Sequence, residues 1–183
     1  MAKICVFTGS ADVKGDYAKV ARDTGRLIAQ RGHELIYGGT NFGLMGLVSS
    51  SAKQKDAKVT AIIPSVWIKS ANKNYNTIEA KDLSERKKKM YELSDAFITL
   101  SGGFGTLDEF FKISTIKQIY HCTKPNVVVN TNGYYDPLLS MLNIIKDTGF
   151  LGKDFLNLEC SSEKLYHFVS KPIDALKYIE KNI

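Results

Sequence analysis

The residues best suited to chemistry cluster around two glycine-rich segments. The first is Gly38-Gly39-Thr40-Asn41-Phe42-Gly43-Leu44-Met45-Gly46; the second is Gly102-Gly103-Phe104-Gly105-Thr106-Leu107-Asp108-Glu109. Each follows an apolar, strand-like run and precedes a helix-like one. Bare backbone N–H groups and a helix N-terminus then converge on one spot, which favours an anion. Two such loops in one small chain point to a phosphate-bearing ligand. Glu109, one turn into the second helix, points to chemistry beside that phosphate.

Each candidate has a plainer reading. Thr106-x-x-Glu109 has the spacing of a capping box, and on spacing alone capping outweighs catalysis. Gly102, Gly103 and Gly105 shift the balance, because a cap does not need a close-approach loop. Asp108 could equally serve the helix dipole. The run Glu85-Arg86-Lys87-Lys88-Lys89 could be a solvated helix face. Yet Arg86, Met90 and Leu93 share one side, which is half apolar and therefore inward. An inward arginine wants an anion or a carboxylate as partner.

Familiar nucleotide motifs do not fit. A P-loop carries lysine and then serine or threonine after its last glycine, and neither loop does. The first strand is followed by Gly9-Ser10-Ala11-Asp12-Val13-Lys14-Gly15 and not by a dinucleotide fingerprint. Triphosphate hydrolysis and NAD-dependent redox lose ground, and a single phosphate, as in a nucleoside monophosphate, remains.

The elements that must position these residues alternate in type. Lys3–Thr8, Glu34–Tyr37, Val59–Ile63, Ala96–Leu100 and Asn126–Val129 read as strands. Tyr17–Gln30, Leu44–Lys55, Leu83–Ser94, Thr106–Tyr120, Tyr135–Asp147, Ser162–Val169 and Ile173–Lys181 read as helices. Val66–Thr77 reads as an irregular, polar, mobile segment over a site. The alternation predicts an α/β fold, a Rossmann-like doubly wound parallel sheet with helices on both faces, as a single domain over residues 1–183. Thr8-Gly9-Ser10, Gly38-Gly39 and Ser101-Gly102-Gly103 then fall at strand C-terminal ends, where such sheets bind ligands.

With 44% apolar and 24% charged residues among 183, the chain has the composition of a globular protein. No apolar run is long enough to span a bilayer, no signal segment is visible, and a cytoplasmic protein is expected. Cys5, Cys122 and Cys160 are too widely spaced for a disulfide framework or zinc site, and His33, His121 and His167 form no metal cluster. The net charge of +6 attracts polyanions, but no nucleic-acid motif accompanies it, so a solvated lysine-rich surface is the better reading.

Several ordered motifs resemble the Lonely Guy family, cytokinin riboside 5′-monophosphate phosphoribohydrolases often mislabelled lysine decarboxylases. They are Tyr37-Gly38-Gly39, Gly43-Leu44-Met45-Gly46, Glu85 to Met90, Ser94 to Ile98, Gly102 to Glu109, and Asn132 to Leu139. The resemblance covers about Lys3 to Leu151. It implies Arg86 and Glu109 as catalytic residues, with Lys87 beside them. It also implies a substrate loop from Gly103 to Glu109 (Gly103, Phe104, Gly105, Thr106, Leu107, Asp108) and a further contact at Thr115. Gly9, Ser10, Gly38, Gly39 and Gly102 complete the expected binding rim, with Met45, Phe104 and Met90 as candidates to touch a base.

The implied reaction cleaves the N-glycosidic bond of an adenine nucleotide 5′-monophosphate, in a homodimer with its site near the interface and with no metal or organic cofactor. The chain departs from the family at Ser101, where a proline is usual. It departs again in Val66–Lys73, which lacks an expected glutamate, a change bearing on substrate preference more than on bond cleavage. A nucleotide-binding carrier without turnover, and a nucleic-acid binder, are the alternatives.

Overall fold

Five of the strands are short runs of apolar residues buried on both faces, which only a sheet covered by helices on both sides can satisfy. In the computed structural model, which describes residues 1–151 and 165–183, seven parallel strands form one sheet in the order β4-β3-β2-β1-β5-β6-β7. The strands are β1 (Lys3–Phe7), β2 (Glu34–Tyr37), β3 (Val59–Pro64), β4 (Asn76–Ala80), β5 (Ala96–Thr99), β6 (Asn126–Val129) and β7 (His167–Val169). The helices are α1 (Asp16–Gln30), α2 (Gly43–Lys53), α3 (Leu83–Leu93), α4 (Phe104–Tyr120), α5 (Asp136–Asp147) and α6 (Pro172–Lys181).

The period-two alternation of β1 divides the core. Ile4 and Val6 join α1, α2 and α6 through Ile28, Val48 and Ile179. Cys5 and Phe7 face the other way, onto Met90 of α3 and Ile113 of α4. This is the three-layer α/β arrangement expected from the alternating pattern.

Strand order runs outward from β1 in both directions, to β2 on one side and to β5 on the other. The register pairs Val6 with Tyr37 and Phe7 with Thr99. The chain therefore reverses its winding between β1 and β5, and a crevice opens beyond their carboxyl ends. Both Thr8-Gly9-Ser10 and Ser101-Gly102-Gly103 emerge there.

Two elements differ from the sequence reading. The expected irregular segment Val66–Thr77 instead forms a 3-10 turn, Ser65–Ser70, and then enters β4, a parallel edge strand on β3. An edge strand keeps one face polar, so Asn76-Thr77-Ile78-Glu79-Ala80 lacks the apolar run that marks a buried strand. An isolated bridge between Thr40 and Ala71 ties this segment to the first glycine loop. The expected helix Ser162–Val169 is replaced at its end by β7, where Val127 to Val129 pair with His167 to Val169. Tyr166-His167-Phe168-Val169 is rich in strand-forming side chains, and β6 supplies the open edge. Residues 162–164 of that expected helix, and Cys160, lie outside the described residues.

Candidate active site

α3 begins with a true cap. The Asp82 carboxylate accepts from the Glu85 N–H at 2.8 Å, and Glu85 in return accepts from the Lys81 N–H at 2.6 Å. That reciprocal pair fixes the first turn and with it the direction in which Arg86 leaves the helix. Arg86 crosses to α4, where its Nη2 donates to Oε1 of Glu109. The two side chains are 11% and 4% exposed, so this ion pair sits inside the protein. Beside it, nearer the surface, Lys87 Nζ pairs with Asp108 at 2.6 Å.

Glu109 does not belong to a capping box. α4 starts at Phe104 with Gly103 as N-cap, two residues before the start expected from the sequence, so Glu109 lies past the first turn and its carboxylate serves Arg86. Burial pushes the Glu109 carboxyl up to about 7. The Arg86 guanidinium opposes that rise, Asp108 adds to it, and Lys87 reduces it. A carboxyl poised near neutrality, paired with an arginine that reaches Gly38 of the first glycine loop, is suited to stabilising or exchanging charge.

Arg86 is incompletely satisfied. Its Nε is sealed from solvent and donates to no protein atom among the described residues. Its Nη1 lies over Gly38, where a Cβ would come within 3.3 Å of it and 3.1 Å of Met45 Sδ. Glycine at position 38 thus leaves room for the guanidinium.

The second loop is built for close approach. A Cβ on Gly102 would meet Thr106 Oγ1 at 2.1 Å and the backbone nitrogen of Gly9 at 2.9 Å. The ends of β1 and β5 therefore touch through glycine. Cβ atoms on Gly103 and Gly105 would meet nothing within 4 Å. The helices after the glycine loops, α2 and α4, also have open N-termini. Neither has a side-chain cap and neither carries an acidic residue in its first turn. The other described helices all carry one there: Asp16, Glu85, Asp136 and Asp174. An uncapped positive end with bare N–H groups is the condition for holding an anion.

The remaining expected residues sort by position. Gly9 lines a pocket of about 200 Å³ together with Ser101, Gly102 and Gly103. Its carbonyl accepts from the Met45 N–H at 3.2 Å. Ser10 is exposed on the same rim. Gly39, with φ of +93°, packs against Ile63. Thr106 is buried beneath Gly102, and Leu107 packs into the core under β6.

Three residues do not join the pair. Met90 is 1% exposed and packs among Phe7, Ile36 and Phe97, so its side chain is core and not a wall of the site. Phe104 is 94% exposed. Thr115 lies on the exposed side of α4, six residues from Glu109 and so well around the helix from it.

The pocket also has walls that sequence reasoning did not single out: Ala11, Val13, Tyr17, Leu44 and Tyr134. Tyr134 was visible only as part of the segment Asn132 to Leu139, with nothing to give it a role. Among the described residues no group of metal-ligating side chains gathers, and no helix is long and apolar enough to cross a membrane.

Known proteins resemble the chain at two levels. The family model described as "Possible lysine decarboxylase" matches residues 45–178. The chain is 35% identical over 173 residues to "Cytokinin riboside 5'-monophosphate phosphoribohydrolase LOG" of Oryza sativa subsp. japonica, covering 92% of this chain and 72% of that one. It is 34% identical over 183 residues to the protein named LOG1, with the same activity in its name, of Arabidopsis thaliana, covering 98% and 86%.

Among solved structures, a molybdenum cofactor binding protein of Rippkaea orientalis superposes with a TM-score of 0.73 at 23% identity, covering 98% of this chain and 95% of that one. A molybdenum cofactor carrier protein of Chlamydomonas reinhardtii gives 0.73 at 19% identity, covering 99% and 98%. At those identities the structures show the shared fold alone.

Proposed function

The chain belongs to the Lonely Guy family, whose members carry the "possible lysine decarboxylase" description, and from that premise we propose that it hydrolyses the N-glycosidic bond of adenosine 5′-monophosphates, N6-substituted or not. The observation that carries the proposal is the buried Arg86–Glu109 pair, beside Gly38 of the first glycine loop and on the helix whose uncapped N-terminus follows the second. The open end of α4 and the Gly102–Thr106 loop hold the 5′-phosphate. Gly9, Ser10, Gly38, Gly39 and Met45 complete the rim.

Breaking a ribosyl–nitrogen bond develops positive charge on the sugar, an oxocarbenium-like state. The Glu109 carboxylate stabilises that charge or activates the attacking water. The water oxygen joins the anomeric carbon, and the electron pair of the C–N bond leaves with the base, which takes up a proton. Arg86 orients Glu109 and assists departure of the base. Binding energy from the remote phosphate is available to position the reacting bond.

We further propose that the chain acts as one domain in a homodimer. Phe104, Phe111, Ile119 and Tyr120 expose apolar surface along α4, and a second copy covering it would bring Phe104 and Thr115 toward a site.

Lysine decarboxylation through a pyridoxal phosphate lysine does not fit these residues. The buried lysine among the described residues is Lys117, and its ammonium donates to the carbonyls of Cys122 and Lys124 at 2.9 and 2.6 Å. Lys87 is held by Asp108.

The test is chromatography of free base after incubation with AMP and with isopentenyl-AMP. Release from either establishes the hydrolase, and the ratio between them sets the substrate class. Tight AMP binding without release favours a carrier of the same fold.

A further inference from the structure

Three consecutive carbonyls at the start of the second glycine loop are each pinned by a side-chain hydroxyl. Tyr135 Oη donates to the Leu100 carbonyl at 2.8 Å, Thr8 Oγ1 to that of Ser101 at 3.0 Å, and Tyr134 Oη to that of Gly102 at 2.8 Å. A peptide unit is planar and trans, so each C=O fixes the opposite direction of the next N–H. Holding these three carbonyls therefore fixes the N–H groups of Ser101, Gly102 and Gly103. A glycine-rich loop left to itself would sample many orientations of those units, because glycine has the widest backbone freedom.

The tyrosines are delivered by a purpose-built turn. Asn132 and Gly133 both adopt positive φ, 52° and 71°. The asparagine, which bears a Cβ, is held there while its Nδ2 donates to Asp16 at 2.8 Å. Asn130 closes the turn by accepting from the Tyr135 N–H and donating to Asp136, both at 2.7 Å. A non-glycine residue kept in the left-handed region by surrounding bonds marks a place where geometry is being enforced. Tyr134 then lies between Tyr17, ring centroids 5.7 Å apart, and Tyr135 at 4.8 Å. Tyr135 and Thr8 are buried, whereas Tyr134 is partly exposed and lines the 200 Å³ pocket beside Gly102 and Gly103.

We propose that Thr8, Tyr134 and Tyr135 are positioning residues that preorganise the second glycine loop, with Tyr134 the arm that sets its affinity for a phosphate-bearing ligand. This rests on the reading of that loop as the phosphate cradle. The arms act through the loop and touch no reacting atom. Their effect falls on binding, which is shared by ground and transition states, and not on the chemical step.

Tyr134→Phe keeps the ring and removes the donor. Calorimetry with ribose 5-phosphate on wild type and Tyr134→Phe is expected to show a roughly two- to tenfold weaker complex, the range of one net hydrogen bond. The KM for AMP rises by the same factor, kcat is retained, and inhibition by free adenine, which lacks the phosphate, is unchanged. Thr8→Val, which deletes the hydroxyl at similar volume, moves the same quantities and reads the clamp should Tyr134→Phe fail to fold.

Equal ribose 5-phosphate affinity in wild type and a folded variant overturns the positioning role alone. So does a loss that appears equally in adenine inhibition, or one confined to melting temperature. Wild type that binds ribose 5-phosphate without cleaving AMP overturns the hydrolase and leaves the clamp comparison decisive. Wild type that binds neither ribose 5-phosphate nor inorganic phosphate overturns the cradle and the clamp together.

Discussion

The rate of base release against pH reads the state of Glu109, and removing Arg86 should displace it in a known direction. Glu109 is buried, and burial lifts its carboxyl from its ordinary 4.5 to about 7 against the pull of Arg86. A group that works as a carboxylate is active when deprotonated, so kcat/KM should climb with pH and reach half its plateau near 7. Two units lower, about one molecule in a hundred is ionised, so the rate should fall roughly a hundredfold.

Arg86→Met deletes the positive charge that holds the carboxyl down. The acid limb should then move to higher pH, on top of whatever rate Arg86 itself supplies. The substrate phosphate also titrates near pH 6, so Glu109→Gln is the control, expected to keep any phosphate limb and lose the other. The assay is chromatography of free adenine from AMP at saturating and sub-saturating concentrations. A flat profile from about pH 5 to 8, or a limb that Arg86→Met leaves in place, would refute the argument.

The same group makes a linked statement about stability. Its folded pKa lies above the unfolded one, so the folded chain binds more protons between 4.5 and about 7. Its contribution is full below 4.5 and is lost as pH rises through about 7. Glu109→Gln should flatten that slope.

Gly102→Ala should abolish ribose 5-phosphate binding and lower the melting temperature, because its Cβ would strike Thr106 and the Gly9 backbone, whereas Gly105→Ala, with nothing within 4 Å, should fold normally. Scanning calorimetry of the two separates them, and equal behaviour would contradict the close approach of β1 and β5. Lys117→Met should destabilise the protein by about 1–3 kcal/mol in urea titration, since it strips the carbonyls of Cys122 and Lys124 of their buried donor. A neutral result would show that water or another donor replaces it.

Much of the architecture was legible because the central strands are apolar on both faces, and three of them, β1, β2 and β5, run into glycine-bearing loops. β1, β2, β3, β5 and β6 could be read in that way. β4 could not, since an edge strand with one wet face resembles a polar loop, and neither could β7, an edge strand only three residues long at the end of the expected helix Ser162–Val169. In the site, Arg86 and Glu109 were readable from an inward arginine and a carboxylate after a glycine loop. Their pairing needed the fold.

The capping box shows how local spacing misleads. Thr106-x-x-Glu109 has the right letters, but α4 already starts from Gly103, and the side-chain cap is on α3, where Asp82 accepts from the Glu85 N–H. Met90 was placed on the right side of α3, yet that side packs beneath the sheet. The hydroxyls of Thr8, Tyr134 and Tyr135 left no local signal, since each acts on a backbone carbonyl distant in sequence.

The central claim is that Glu109, paired with Arg86 beside a phosphate loop, breaks an N-glycosidic bond. Its most direct test is single-turnover release of adenine from AMP by wild type and Glu109→Gln, with AMP affinity of both measured by calorimetry. The prediction is measurable release by wild type, a loss on the order of a hundred- to ten-thousandfold in the variant, and retained binding. Equal release by both proteins, or tight AMP binding with release by neither, would contradict it.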